Sequence, residues 1–198
     1  MEHIIRQYRL EPGAWEIQYI EEMFQEFSVK KKTAHEIIRR LKDREHLILL
    51  SMARSPEDVE LEIPVAFKVG HELRGQEADL KICDLVTRLS DVVRFDGRKI
   101  FYSWIGGTRD QWRSQGHYRA LTEQQEDWAH QHGYNEMVVK TKNKFYHMRA
   151  TLDHLHFDVI KFEPHRTDNR ESKVYLSKNL GADVLKQHQT SRSVVEAA

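Results

Sequence analysis

Residues 3 to 10 (HIIRQYRL) form a run with β-branched and aromatic side chains closed by Pro12-Gly13, which predicts a first strand and a turn. From Trp15 to Phe27 the apolar residues Ile17, Ile20, Phe24 and Phe27 recur three or four positions apart, the spacing that lines one face of a helix. Beyond the basic run Lys30-Lys31-Lys32, Thr33 and Glu36 stand as a capping box ahead of Ile37, Ile38 and Leu41, so a second helix starts there. HLILLSMA (46–53) and IPVAFKVG (63–70) read as buried antiparallel neighbours on either side of the acidic turn SPEDVELE.

The second half alternates strands and helices. Residues 74–99 read as an insertion in which Leu85, Leu89, Val92 and Val93 fit a short helix ended by the Asp96-Gly97 turn. Ile100 to Ile105 is the next expected strand, and Gly106-Gly107 at its end mark a bulge or a close backbone approach. A helix is expected from about Gly116 to Gly133, with Leu121 and Trp128 on its inner side and Gly133 as its stop. A strand at 136–142, a helix at 145–155 and strands at 157–162 and 173–177 complete the pattern. The order predicts an α/β fold, a mixed sheet covered by helices, with residues 1–181 as one domain and 182–198 as a polar, disordered tail.

Composition narrows the function classes. The chain has 198 residues, enough for one adequate core, with 31 Lys+Arg balanced by 31 Asp+Glu. That balance argues against nucleic acid as a partner, because phosphate neutralisation draws on a basic excess. The longest core-like apolar run, Leu47 to Leu50, is too short to span a bilayer, and the N-terminus lacks a signal-like apolar stretch. A lone cysteine, Cys83, supports neither a disulfide framework nor a Cys-rich zinc site, and the cytoplasm is the expected compartment. Twelve histidines include His147, His154 and His156, but without a thiolate or an HExxH phrase they read as solvated side chains, so no metal is expected.

The chemistry concentrates in Arg113-Ser-Gln-Gly-His-Tyr-Arg-Ala-Leu121, between a strand and a helix. A glycine there lets successive backbone N–H groups point outward at the positive end of the helix, an arrangement suited to phosphate. The helix then ends on Trp128-Ala-His-Gln-His-Gly133-Tyr134, and Met137 to Asn143 and Leu155-His-Phe157 follow without a gap. Together these segments resemble the Gcn5-related N-acetyltransferase (GNAT) superfamily, with its Arg/Gln-x-x-Gly-x-Gly/Ala loop, its Trp-Ala-x-x-x-Gly-Tyr-like phrase and its Leu-Gly-Phe. Residues 1–100 agree with that family in the order of elements alone.

The resemblance implies a GNAT-like domain whose central, mostly antiparallel, twisted sheet splays between the strands at 100–105 and 136–142 to admit acetyl-CoA. The diphosphate would lie on Arg113, Gln115, Gly116, His117, Tyr118 and Arg119. The thioester carbonyl would face Ile105 and Gly106, and Asn143 and Tyr146 would complete the cofactor site. Acetyl-CoA enters as co-substrate, and an acetyl group passes directly to a primary amine of a small molecule. A protein amine as acceptor, and a non-catalytic acyl-CoA-binding or sensing domain, are the alternatives; a homodimer is one assembly this reading admits.

Three positions depart from the family pattern: Tyr118 stands for the second small residue, His156 for a glycine, and Leu152 for a tyrosine that protonates the departing thiolate. Tyr146, His154 or water would then deliver that proton. For the base that frees the amine, His71 and Glu72 are the ionisable residues best placed by sequence, although ordinary solvated turn residues explain both more simply.

Overall fold

The computed structural model describes residues 3–11, 13, 15–27 and 29–182. Pro12 of the expected first turn and residues 183–198 of the expected tail lie outside the described residues. The fold is mixed α/β, as the pattern predicted: a seven-stranded sheet in the order β1-β2-β3-β4-β5-β7-β6, mostly antiparallel, in which β4 (Ile100–Thr108) and β5 (Glu136–Lys142) run parallel. Its residues group into two compact units, Met1–Glu72 with Ser103–Gln125, and Leu73–Tyr102 with Glu126–Ala198.

In the first unit β1 (Ile4–Tyr8) pairs antiparallel with β2 (His46–Arg54), Ile4 opposite Met52 and Tyr8 opposite Ile48. β2 pairs antiparallel with β3 (Glu62–Leu73) through a register shift between Ser51 and Met52. β3 outruns the expected 63–70, so His71 lies inside the strand, opposite His46. Helices α1 (Trp15–Met23) and α2 (Ala34–Leu41) bury Ile17, Ile20, Met23, Ile37 and Leu41 against Ile48, Leu50, Phe67 and Val69 of the sheet. The capping box on α2 forms as predicted: Thr33 Oγ1 accepts from the Glu36 N–H and Glu36 Oε2 accepts from the Thr33 N–H, both at 3.2 Å.

α1 stops short of the expected Phe27 and tightens into a 3₁₀ turn at Phe24–Glu26. Lys31 caps this turn, its ammonium donating to the carbonyls of Phe24, Gln25 and Phe27 at 2.6, 3.0 and 2.8 Å. Satisfying carbonyls at a helix end is the usual work of a nearby cation.

In the second unit α3 (Leu80–Leu89) occupies the stretch between β3 and β4, with Asp79 accepting from the backbone of Lys81 and Ile82. Leu85 and Leu89 are buried on it, while Val92 and Val93 fall in the turn beyond. Arg88 of α3 bridges to Asp84 and to Glu163 of β6 (Asp158–Glu163), at 2.9 and 3.0 Å. β7 (Lys173–Asn179) lies between β5 and β6, antiparallel to both, and buries Val174, Tyr175 and Leu176. α5 (Tyr146–His154) ends in the turn that carries His156 at φ +62°. There the glycine of the family pattern would cost nothing, whereas an ordinary side chain costs on the order of 1–2 kcal/mol. Phe157 N–H to Leu152 O, at 2.9 Å, holds the turn.

β4 runs three residues past the expected Ile105, and the two glycines lie within it. A Cβ at Gly107 would fall 2.6 Å from Phe27 Cζ and closer still to Cε2. Phe27 cannot yield cheaply, because its ring stacks on Phe67 at 6.1 Å and meets Phe24 edge-on at 5.9 Å in the core. Gly107→Ala should therefore destabilise the protein by about 1–3 kcal/mol through overpacking. Urea unfolding measures this, and a variant as stable as the parent would refute the close approach.

Candidate active site

The segment after β4 is shaped by backbone geometry before any side chain enters. A 3₁₀ turn at Asp110–Trp112 leads to Ser114 at φ +61° and Gly116 at φ +85°, and α4 (His117–Gln131) begins at once. Alternating left-handed residues ahead of a helix turn backbone N–H groups to one side, a concavity suited to anions. The first intrahelical bond runs from Ala120 N–H to Gly116 O at 3.0 Å, so the N–H groups of His117, Tyr118 and Arg119 precede the ladder at the helix's positive end. α4 ends at Gln131, and Gly133 at φ +76° turns the chain as the sequence predicted.

The loop's charged side chains have acidic neighbours. Arg113 pairs with Asp110 at 2.6 Å and Arg119 with Glu123 at 3.0 Å, one helical turn on. Gln115 Nε2 donates to the Gln111 carbonyl at 3.3 Å. The exposed arginine pairs are weakly held and can exchange partners; the backbone N–H groups are the fixed part of the loop.

Beneath the loop, the face of β3 opposite Phe67 and Val69 carries Lys68, which is only 1% exposed. Its ammonium donates to the Tyr118 hydroxyl at 3.1 Å and stands 4.2 Å from the centre of that ring. Burial pushes the Tyr118 phenol well above its ordinary value, so it stays protonated. A Cβ at Gly106 would lie 3.1 Å from the Phe67 carbonyl oxygen, a tight approach, and at an ordinary 3.6 Å from Tyr118 Cε2. Ile105, the preceding residue, packs half-buried against the α1 and α2 core.

His71 is fully buried, with both ring nitrogens engaged. Nδ1–H donates to the Glu72 carbonyl at 2.6 Å, and Nε2 accepts from Arg40 Nε at 3.1 Å. Its ring meets Trp104 of β4 edge-on at 5.7 Å. Glu72 is half-buried and its N–H donates to the Glu45 carbonyl at 2.8 Å. Ser103 is buried in the same unit.

Asn143 and Tyr146 belong to the second unit. Asn143 ties a loop together: its Oδ1 accepts from Arg149, its Nδ2 donates to the Asn169 carbonyl at 3.1 Å, and its N–H donates to the Ser172 carbonyl at 2.8 Å. Tyr146 is exposed and lines a groove of about 300 Å³ with Arg149, Ala150, Asp153, Phe157, Val159 and Leu176. Leu152 is fully buried on α5. Among the described residues there is no group of three or more His, Cys, Asp or Glu suited to a metal ion, and no helix long and apolar enough to cross a membrane.

The sequence reading missed Lys68, Arg40, Trp104 and the side chain of His117. Lys68 had a signal in its strand alternation, since it shares a face with Ala66 and Gly70. His117 was expected as a backbone donor, yet its ring is buried, with Nδ1 2.9 Å from Ser51 Oγ and the His3 ring 4.6 Å away. Burial, then the nearby His3, holds the His117 imidazole below its ordinary value of 6.5.

No protein-family model and no curated protein matches the sequence. Solved structures do match. A chain of the NatC complex bound to Gag peptide and CoA aligns at a TM-score of 0.66 and 13% identity, covering 89% of this chain and 99% of that one. Arabidopsis thaliana NAA60 in complex with a bisubstrate analogue aligns at 0.67 and 11% identity, over 90% of this chain and 100% of that one. Arylalkylamine N-acetyltransferase 2 from Aedes aegypti aligns at 0.62 and 15% identity, over 89% and 99%.

Because His117 is held neutral by burial, the unfolded chain binds its proton first. The stability this contributes is complete above the unfolded value near 6.5 and is lost as pH falls from there through the lower folded value. Denaturant unfolding between about pH 7.5 and about pH 5 should show stability declining, and His117→Gln should flatten the decline. An unchanged slope in the variant would remove His117 from the account. At the level these likenesses support, the chain has the fold of N-acetyltransferases of the GNAT type.

Proposed function

We propose that this chain is an acetyl-CoA-dependent N-acetyltransferase that moves the acetyl group directly to a primary amine. The observation that carries the reading is the 113–119 loop, with Ser114 and Gly116 in left-handed conformations at the start of α4, in a chain with an acetyltransferase fold. The backbone N–H groups of Gln115 to Arg119 take the diphosphate, with Arg113 and Arg119 exchanging their carboxylate partners for it. The N–H groups near Ile105 and Gly106 face the thioester oxygen and stabilise the charge that develops on it. The amine nitrogen bonds to the carbonyl carbon, the C–S bond breaks, the amine gives up a proton to a base or water, and CoA leaves as a thiolate that is reprotonated.

Residues 1–181 act as one catalytic domain in this reading, working in the cytoplasm on a small-molecule amine. A protein amine is the second reading, favoured by the likeness to a NatC complex that holds a peptide. His71 is a positioning residue here: taking a proton at Nε2 would mean losing its bond from Arg40 beside a second positive charge. The buried Leu152 supplies no acid, and none is indispensable, since a thiol of ordinary pKa about 8.5 leaves as thiolate at modest cost.

Gly116→Asp adds a negative charge, and a side chain pointed at His3, where the diphosphate lies. Acetyl-CoA affinity should fall at least about tenfold, or about 1.4 kcal/mol. Titration calorimetry on the folded variant tests it, and undiminished binding would mean the phosphate site is elsewhere.

If His71 positions rather than deprotonates, His71→Gln should lower stability and turnover while the ascending limb of kcat/KM against pH stays in place. Disappearance of that limb would make His71 the base.

A further inference from the structure

The cations around Trp104 are unused by the reaction as described. Arg40 of α2 sets its guanidinium carbon 5.0 Å from the centre of the Trp104 ring, and the Lys32 ammonium stands 5.9 Å from the same centre. Trp104 is half-buried on β4, immediately before Ile105 and Gly106, and packs against the α1 and α2 core.

Both cations are placed by anchored structure. Arg40 is tethered through its Nε to the fully buried His71. Lys32 lies between two fixed points, Lys31, bound to three carbonyls, and Thr33, held in its capping box. Each cation is attracted to the face of the ring, more strongly where water is excluded. Two like charges drawn to one ring repel each other, however, and an anion arriving beside them is favoured.

We propose that the acceptor is a small primary amine carrying a carboxylate next to the amino group, an α-amino acid in chemical class, with its carboxylate held by Lys32 and Arg40 against Trp104. This rests on the acetyltransferase reading above. It requires the charge and place of these two side chains, not that either lacks another partner, because an incoming carboxylate exchanges with whatever they hold. The same cations disfavour the ammonium form of the bound amine, which keeps more of it as the neutral nucleophile. The chemistry stays balanced: the amine nitrogen bonds to the acetyl carbon, its proton passes to water, the C–S bond breaks, and the sulfur leaves as thiolate.

The test measures CoA release with matched acceptors: amino acids, the amines left when each loses its carboxylate, and dipeptides beginning with the same residues. With rates corrected for the fraction of neutral amine, some free amino acid should exceed its decarboxylated partner in kcat/KM by about tenfold or more, equivalent to about 1.4 kcal/mol of transition-state discrimination. Lys32→Glu should abolish or reverse that preference through KM, while acetyl-CoA affinity by calorimetry stays at the parent value. Arg40→Lys, which keeps the charge, should retain more of the preference than Arg40→Gln.

Equal or faster turnover of the decarboxylated amines, with acetyl-CoA bound and consumed, would overturn this inference and leave the acetyltransferase reading intact. A preference for dipeptides over the free amino acids would also overturn it, in favour of a peptide acceptor. Failure of the parent protein to bind acetyl-CoA would overturn both.

Discussion

β4 gives up two consecutive side chains, and the first unit is arranged around the space they leave. Neighbouring residues of a strand face opposite sides of the sheet. Gly107 accordingly admits the ring of Phe27 from the α1 side, while Gly106 on the other face closely approaches the Phe67 carbonyl. Restoring the Cβ of Gly107 would push on the close-packed ring of Phe27, so the backbone of β4 sits nearer to that layer than a residue with a side chain would allow.

On the neighbouring strand β3 a lysine is buried beneath the loop that leads into α4. Lys68 leaves water, which is costly for an ammonium, and part of that cost is offset by the Tyr118 hydroxyl and the face of its ring. Positions 68 and 118, far apart in sequence, are thus joined by one contact in the fold.

Periodicity carried most of the element order because this fold's helices each bury one clear face and its strands alternate or run fully apolar. Ile17 and Ile20, Thr33 with Glu36, and the Leu121 to Trp128 spacing behaved as their patterns dictate. Ends were less legible. β3 outruns its apolar core through His71 and Glu72, since a polar side chain with a partner satisfies a strand as well as an apolar one. β4 runs through two glycines that local propensity would place outside a strand, because the ring of Phe27, eighty residues earlier, needs the room. The position of β7 between β5 and β6 is likewise a pairing choice that no local signal encodes.

The site divides along the same line. Backbone features were legible, since a glycine ahead of a helix announces its own geometry: Gly116 takes the left-handed conformation, and Ser114 joins it. Side-chain roles were not, because they depend on contacts across the chain. His71 reads in sequence as an ionisable residue near a strand end; in the fold it is a buried link whose lone pair is spent on Arg40 and whose N–H is spent on Glu72. Its chemistry is thereby transferred one residue outward, to the guanidinium it fixes over Trp104. A buried histidine with two committed nitrogens orients a charge better than it moves a proton, because each commitment that sharpens its geometry raises the cost of changing its protonation.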